Sequence, residues 1–215
     1  MAEKLIVGLA LANNLPLVPS QKNSYDEYSR TTNDDKQRSS EVAQKSTHIS
    51  IRDALEGDRE AAREVTLAAY EEYAKMIPPL FWEGYRKNIV ESLDEKGPAQ
   101  HIVAEYAGKI VGSVLLYPPA ASAYGAAADE SAAIPEMRLL AVNPAMCGHR
   151  IGNALTRECV QRAQRAGAPA LGLHTTDMMQ TAMQMYERMG FVRAPEFDFH
   201  PTENTLIKGY RLDLG

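Results

Sequence analysis

Two cysteines in 215 residues, Cys147 and Cys159, cannot build a disulfide framework, and no CxxC or Cys/His spacing offers a zinc site. They read as free thiols in a reducing compartment, and no metal is expected. A basic excess is missing too. The chain carries 23 Lys and Arg against 28 Asp and Glu; six of each fall in residues 1–46, so the net charge of −5 belongs to residues 47–215. Nucleic-acid binders show the opposite balance, which sets that partner aside. An acidic surface modestly favours a cationic substrate, although it mainly serves solubility. The apolar segment "LIVGLALA" at 5–12 is too short to span a bilayer, and no membrane partner is expected. It imitates the h-region of a signal peptide, with "ALA" as a cleavage site, but the glutamate in "MAEK" cancels the lysine such a leader relies on. A cytoplasmic protein is the expectation and export the alternative. Three chemical motifs are also lacking: the P-loop GxxxxGK[ST], the dinucleotide turn GxGxxG and the nucleophile elbow GxSxG.

What is present begins beyond a polar tail. Residues 18–46 are rich in Ser, Asn, Asp, Lys and Gln, with two valines and no Leu, Ile or Phe. Such a segment buries too little apolar surface to offset its ordering entropy, so residues 1–46 are expected to be a disordered or loosely docked extension. From residue 47 onward strand and helix patterns alternate. "THISIRDA" alternates as a half-buried strand; "EGDREAAREVTLAAYEEYAKM" is an amphipathic helix with Asp58 as N-cap and Ala62, Val65, Ala69 and Tyr73 on one face. After "PPL" comes a second helix, "FWEGYRKNIVESLDEK", then strands "QHIVAEYA" and "KIVGSVLLY" around the turn residues Gly108 and Lys109. Residues 120–133 are low-complexity Ala, Ser and Gly and predict a mobile surface loop. "EMRLLAV" is a buried strand and "GNALTRECVQRAQRA" a helix with Ile151, Leu155, Cys159 and Ala163 as its buried stripe. "ALGLHT", "TAMQMYERM" and "TLIKGYRLDL" predict a strand, a helix and a last strand. This alternation argues for one mixed α/β domain over residues 47–215.

Between "EMRLLAV" and the helix lies "MCGHRIGNAL", residues 146–155. Two glycines, a histidine and an arginine crowd the start of a helix, where unpaired N–H groups and the positive end of the dipole converge. One reading is an anion cradle, built mainly of backbone, to which Arg150 and His149 add charge. The other is an ordinary strand-to-helix turn whose glycine permits positive φ. Local features alone favour neither.

A wider pattern does. "PEMRLLAVNPAMCGHRIGNAL" followed by "LGLHTTDMMQTAMQMYERMGF" resembles the GNAT superfamily of acyl-CoA-dependent N-acetyltransferases: a strand opening on Glu, a [QR]-x-x-G-x-[GA] turn, a helix, a strand, then A-x-x-x-Y-x-x-x-G-F. The last part is matched by Ala182, Tyr186, Gly190 and Phe191. Three positions depart from the pattern: Cys147 replaces the usual Arg or Gln, Arg150 an often-found Gly, and Met179 an Asn that contacts the cofactor in many members. The resemblance covers residues 47–215 and implies the family's fold, an α/β (α+β mixed) domain with a central mixed, mostly antiparallel sheet flanked by helices. It implies an acetyl-CoA cosubstrate, its pantetheine lying along the main chain of Leu140, Ala141 and Val142. The pyrophosphate would sit on the turn of Cys147, Gly148, His149, Arg150, Ile151, Gly152 and Asn153. It further implies direct acetyl transfer, in a ternary complex, to a primary amine of a small molecule or peptide, and it allows a homodimer.

Under that resemblance the Leu140 N–H aligns with the oxyanion donor and Tyr186 with the acid that protonates the leaving thiolate, a proton transfer a phenol can perform. Taken alone, Tyr186 reads more readily as a core aromatic at helical spacing from Ala182 and Gly190; the complete motif around it favours the functional role. Glu136 stands where several members keep a general base; otherwise it is a charge at an exposed strand end. His174 reads as structural, and His101 has no partner legible in the sequence. Tyr70, Tyr73, Phe81, Trp82 and Tyr85 fall in the region that forms the acceptor side of the cleft in the family, and most of them are expected to be core. A rival to the enzyme is a non-catalytic acyl-CoA-binding sensor that kept the fold and lost the chemistry.

Overall fold

The sheet is organised about a hairpin. In the computed structural model, which describes residues 48–119, 133–202 and 205–215, β2 (Gln100–Tyr106) and β3 (Lys109–Tyr117) pair antiparallel up to Tyr106↔Lys109. The two residues between them, Ala107 and Gly108, have φ of 51° and 75°. Two left-handed residues in succession give the turn a twist that matches the strands. The turn thus lies one residue earlier than Gly108–Lys109, because Lys109 is already held in the ladder. The expected extension 1–46 with its boundary at 47, and the expected loop 120–133 apart from Ala133, lie outside the described residues.

Around this hairpin β1 (Ser50–Asp53) pairs with β2 and β4 (Glu136–Val142) with β3, both antiparallel. β5 (Ala170–Thr175) joins β4 in parallel and β8 (Thr205–Asp213) joins β5 antiparallel. Two short strands missing from the sequence reading, β6 (Val192–Arg193) and β7 (Phe199–Thr202), both pair with β8. The eight-stranded order is β1-β2-β3-β4-β5-β8-β6, with β7 also against β8. It is the mixed, mostly antiparallel sheet expected, with one parallel pair at its middle.

Among the described residues four α-helices cover the two faces: α1 (Arg59–Tyr70), α2 (Pro79–Asp94), α3 (Ile151–Arg165) and α4 (Gln180–Arg188). α2 opens with proline in its first turn, where a missing N–H is harmless. Asp58 occupies the N-cap position of α1 as expected, but its side chain makes no cap hydrogen bond to that helix. It also ends a 3₁₀ turn, Glu56–Asp58, that runs into α1. Its carboxylate reaches back to accept from the Leu55 N–H at 2.7 Å and binds the Arg52 guanidinium at 2.5 Å. Arg52 holds the Asp58 carboxyl below its usual range.

Alternate strand residues sort the helices. Val114, Leu116, Met137, Leu171 and Leu173 share one apolar cluster with the α3 stripe Ile151, Leu155, Cys159 and Ala163. Burial pushes the Cys159 thiol up to about 12. Leu115, Tyr117 and Ala141 point to the opposite face, into a second cluster with Tyr70 of α1 and Ile89 and Leu93 of α2. At Gly112 the sheet lets α3 come close: an added Cβ would lie 2.9 Å from both Ile151 Cγ2 and Leu155 Cδ1.

Candidate functional site

The parallel pair is incomplete. β4 and β5 are in register only at Glu136↔Gly172 and Met137↔Leu173. Beyond Met137 the two strands part, and the edge of β4 facing β5 lacks a neighbouring strand among the described residues. On its other edge β4 is bulged. Ser113 pairs with Ala141 and Leu115 with Arg138, so Leu139 and Leu140 both stand opposite Val114. Leu139 adopts φ of 50°, a left-handed conformation unusual for a branched, non-glycine residue and of the kind found where a chain re-aims its main-chain groups. The bulge also reverses the pattern of faces. Leu139 packs into the α1/α2 cluster, and Leu140 and Val142 pack against the α3/α4 cluster.

β4 leads into the turn. The Asn143 side chain accepts from Ala145 N–H at 2.9 Å, and a 3₁₀ turn follows over Pro144–Met146. Gly148 has φ of 85° with open space where a Cβ would be, so its role is conformational. Gly152 serves packing instead: an added Cβ would meet Met185 Sδ of α4 at 3.3 Å. Arg150, at φ of 60°, precedes α3 and no side chain caps that helix. The first bond reaching back is Ala154 N–H to Arg150 carbonyl at 3.0 Å, so the Ile151, Gly152 and Asn153 amides precede any intrahelical partner. The Arg150 side chain is exposed and makes no ion pair among the described residues. His149 is exposed but folded back, its Nδ1 lying 3.2 Å from the Met146 carbonyl oxygen. Cys147 is exposed, whereas the Ile151 side chain is core.

On the α1/α2 face, Glu136 is far from being a solvated strand end. Its side chain is 14% exposed, and Oε1 lies 2.7 Å from His174 Nδ1 and 3.7 Å from Arg138 Nε. Glu136 stands opposite Tyr117, and the Arg138 guanidinium lies 5.0 Å from the Tyr117 ring centroid. His174 is likewise no solitary ring. Its side chain is 4% exposed, with Nε2 at 2.9 Å from the Phe197 carbonyl and an edge contact to Phe199. A carbonyl can only accept, so Nε2 carries hydrogen. Nδ1 and the Glu136 carboxyl group share a hydrogen bond on the ring's other side, so both ring nitrogens are held. Farther along this face His101 Nε2 meets Ser113 Oγ at 2.8 Å, supplying the partner that the sequence did not reveal. Burial lowers the His101 pKa. Tyr73, Trp82 and Tyr85 are half-buried and pack with Leu139 and Met179 against the same cluster, while Tyr70 is core.

On the α3/α4 face stands Tyr186, 6% exposed and tilted against Phe191 at 5.8 Å. Burial pushes its phenol well above the usual range, so it stays protonated through neutral pH. Glu136 and Tyr186 therefore lie on opposite faces of the sheet. Sequence reasoning missed the Leu139 bulge, the His174 and Arg138 partners of Glu136, and two buried threonines, Thr175 and Thr176, at the end of β5. A threonine at the position where "LGLHT" should place a third apolar residue was the available signal. Among the described residues no helix is long and apolar enough to cross a membrane, and no group of three or more His, Cys, Asp and Glu could hold a metal.

The family model of the acetyltransferase (GNAT) family matches residues 61–191. No curated protein matches the sequence. Among solved structures the chain is similar to a GNAT-family acetyltransferase from Staphylococcus aureus Mu50, with 16% identity, 78% of this chain and 100% of that one covered, and a TM-score of 0.59. It is also similar to a GNAT-family acetyltransferase from Brucella melitensis solved in complex with acetyl-CoA, at 23% identity, coverage of 79% and 90%, and a TM-score of 0.52. The PaiA N-acetyltransferase from Thermoplasma acidophilum, solved with coenzyme A, shares 18% identity over 75% of this chain and 98% of that one, with a TM-score of 0.56. At these identities the likeness is one of fold.

Proposed function

Because the chain belongs to the GNAT acetyltransferase family, we propose that it transfers an acetyl group from acetyl-CoA directly to a primary amine of a small molecule or peptide, in the cytoplasm. The observation that carries this reading is the parting of β4 and β5 at a bulge, with a carboxylate on one face of the sheet and a protonated phenol on the other. The residues fit the cofactor. An unpaired strand edge at Leu140, Ala141 and Val142 suits an extended chain bearing amides. The uncapped start of α3, with Cys147, Gly148, His149, Arg150, Ile151, Gly152 and Asn153, suits a pyrophosphate held by backbone N–H groups and one guanidinium.

When bound, acetyl-CoA would supply a thioester whose carbonyl carbon accepts the amine and whose sulfur leaves. Glu136 takes the proton shed by the amine nitrogen as the N–C bond forms. His174 occupies Oε1, which leaves Oε2 for that proton. The Leu140 N–H, re-aimed by the bulge, donates to the carbonyl oxygen as it gains charge; one such donor is typically worth about 3–4 kcal/mol. Tyr186 gives its phenolic proton to the departing sulfur as the C–S bond breaks. The aromatic rings of Tyr73, Trp82 and Tyr85 line the acceptor side of this arrangement.

Isothermal titration with acetyl-CoA, using ATP and NAD as controls, followed by a thiol-release screen over amines, tests the reading. Selective binding with turnover is expected, and Tyr186→Phe should keep the binding while losing about a hundredfold or more in kcat. Binding without turnover on any amine would leave a sensor. No binding near millimolar concentration would overturn the proposal.

A further inference from the structure

The last torsion of a glutamate side chain joins a tetrahedral to a planar carbon and has no sharp minimum, so a carboxylate turns broadly unless something fixes it. At Glu136 something does. His174 stands on the neighbouring strand with only 4% of its side chain exposed, and its ring nitrogens meet partners of two kinds. Nδ1 lies 2.7 Å from Glu136 Oε1, and Nε2 lies 2.9 Å from the Phe197 carbonyl oxygen. The Phe199 ring, edge-on at 5.3 Å between centroids, closes a third side. A ring held in this way cannot turn without giving up a hydrogen bond in a buried place.

The Phe197 carbonyl is itself held. Phe197 ends the 3₁₀ turn Pro195–Phe197, donates its N–H to the Ala194 carbonyl at 2.9 Å, and is buried in a cluster with Ile134 and Ala170. The main chain of β8 presses against this turn: a Cβ added to Gly209 would lie 2.4 Å from Phe197 Cβ and 2.9 Å from the Ala194 carbonyl oxygen. Asp198 accepts from the Gly209 N–H at 2.8 Å and from the Arg193 guanidinium at 2.9 and 2.8 Å, which ties the turn to β8. The match to the family model ends at Phe191, so Phe197, Asp198 and Gly209 lie beyond it. An unbroken line of contacts thus runs from β8 through the turn and the His174 ring to one oxygen of Glu136.

We propose that His174 is a positioning residue for Glu136: carried on the Phe197 carbonyl, it fixes Oε1 and so sets the direction in which Oε2 meets the acceptor amine. The inference rests on the reading of Glu136 as the base and adds the part of the chain that aims it. Arg138, with Nε 3.7 Å from the same Oε1, attracts the carboxylate but is too far away to direct it as a hydrogen bond does. His174 itself touches neither the amine nor the cofactor.

The test compares His174→Asn with His174→Gln in the thiol-release assay, with acetyl-CoA and the primary amine that the wild type turns over fastest. The amide nitrogen of asparagine falls where Nδ1 stands and keeps a hydrogen bond to Glu136. That of glutamine falls near Nε2, keeps the Phe197 carbonyl and abandons Glu136. The glutamine variant should lose about tenfold or more in kcat and the asparagine variant about threefold or less, with acetyl-CoA affinity by calorimetry unchanged in both. Each variant gives up one hydrogen bond, so a merely structural histidine predicts similar losses of melting temperature and equal kcat per folded molecule. That outcome overturns the proposal, as does wild-type kcat in the glutamine variant. Should His174→Gln not fold, Asp198→Ala loosens the far end of the line, and wild-type kcat there overturns the proposal equally. Glu136→Gln separates the two readings. If it keeps wild-type kcat, Glu136 is not the base and the positioning role falls with it; if it loses turnover and His174→Gln does not, the positioning role alone falls. A wild-type chain that turns over no amine overturns both.

Discussion

The face of the sheet under α3 and α4 is lined by Val114, Leu116, Met137, Leu171 and Leu173, and Tyr186 is buried among them. The face under α1 and α2 carries His101, Ser113, Glu136, Arg138 and His174, bonded to one another in pairs and threes. One side is dry and its phenol is protonated; the other keeps charge inside the fold by partnering it. Acyl transfer to an amine asks for that division. On the proposed reading, a thioester would be kept from water on the dry side and the proton of an incoming amine would be collected on the charged side. Leu139 and Leu140 stand between, and the bulge gives each face one of them.

Substitutions on the two faces should separate activity from stability. The largest effect is expected from Glu136→Gln on the charged face: kcat in the thiol-release assay falls about 10²–10⁴-fold. Its melting temperature moves little, because a glutamine amide keeps a hydrogen bond to His174 Nδ1. An equal loss of stability and activity would mean that Glu136 is structural. On the dry face Leu171→Ala should do the reverse, costing about 2–5 kcal/mol in urea denaturation while the folded fraction keeps its kcat. Gly112→Ala crowds Ile151 and Leu155 and pushes the start of α3 away from β4. A cost of about 1–3 kcal/mol is expected, together with weaker acetyl-CoA binding by calorimetry.

The smallest effect is one of pH. His101 titrates below its ordinary 6.5 because burial disfavours the charged ring, with Asp58 and Arg59 acting in opposite directions. The unfolded chain therefore binds this proton more readily than the folded one. The stability His101 contributes is complete above about 6.5 and is lost as pH falls through that value toward the lowered one. Denaturation between pH 5 and 8 should show the fall, and His101→Gln should flatten part of it.

Much of the fold was legible. "KIVGSVLLY", "EMRLLAV" and "ALGLHT" are strands with the bounds read from sequence, since runs of apolar residues between turn formers leave little choice. β6 and β7 were not, being two and four residues long and held by pairing with β8 rather than by any pattern of their own. Of the candidate site, the positive φ at Gly148 was legible because a turn glycine marks it, and the burial of Tyr186 because its helical spacing places it on the core side. The bulge was not, because it arises from a mismatch between β4 and β3 and is occupied by a leucine. The Glu136–His174 pair joins strands 38 residues apart, so no local spacing announces it.

The two thiols divide the molecule in another way. Cys147 is open to solvent at the anion turn, while Cys159 is sealed under α3 with its ionisation pushed up to about 12. A maleimide offered to the native chain thus finds a single nucleophile, and a second becomes available only when α3 leaves the sheet. The number of adducts on each molecule counts, by mass alone, how many chains have opened, and a dye on the first thiol would report from beside the place where a phosphate is expected to bind.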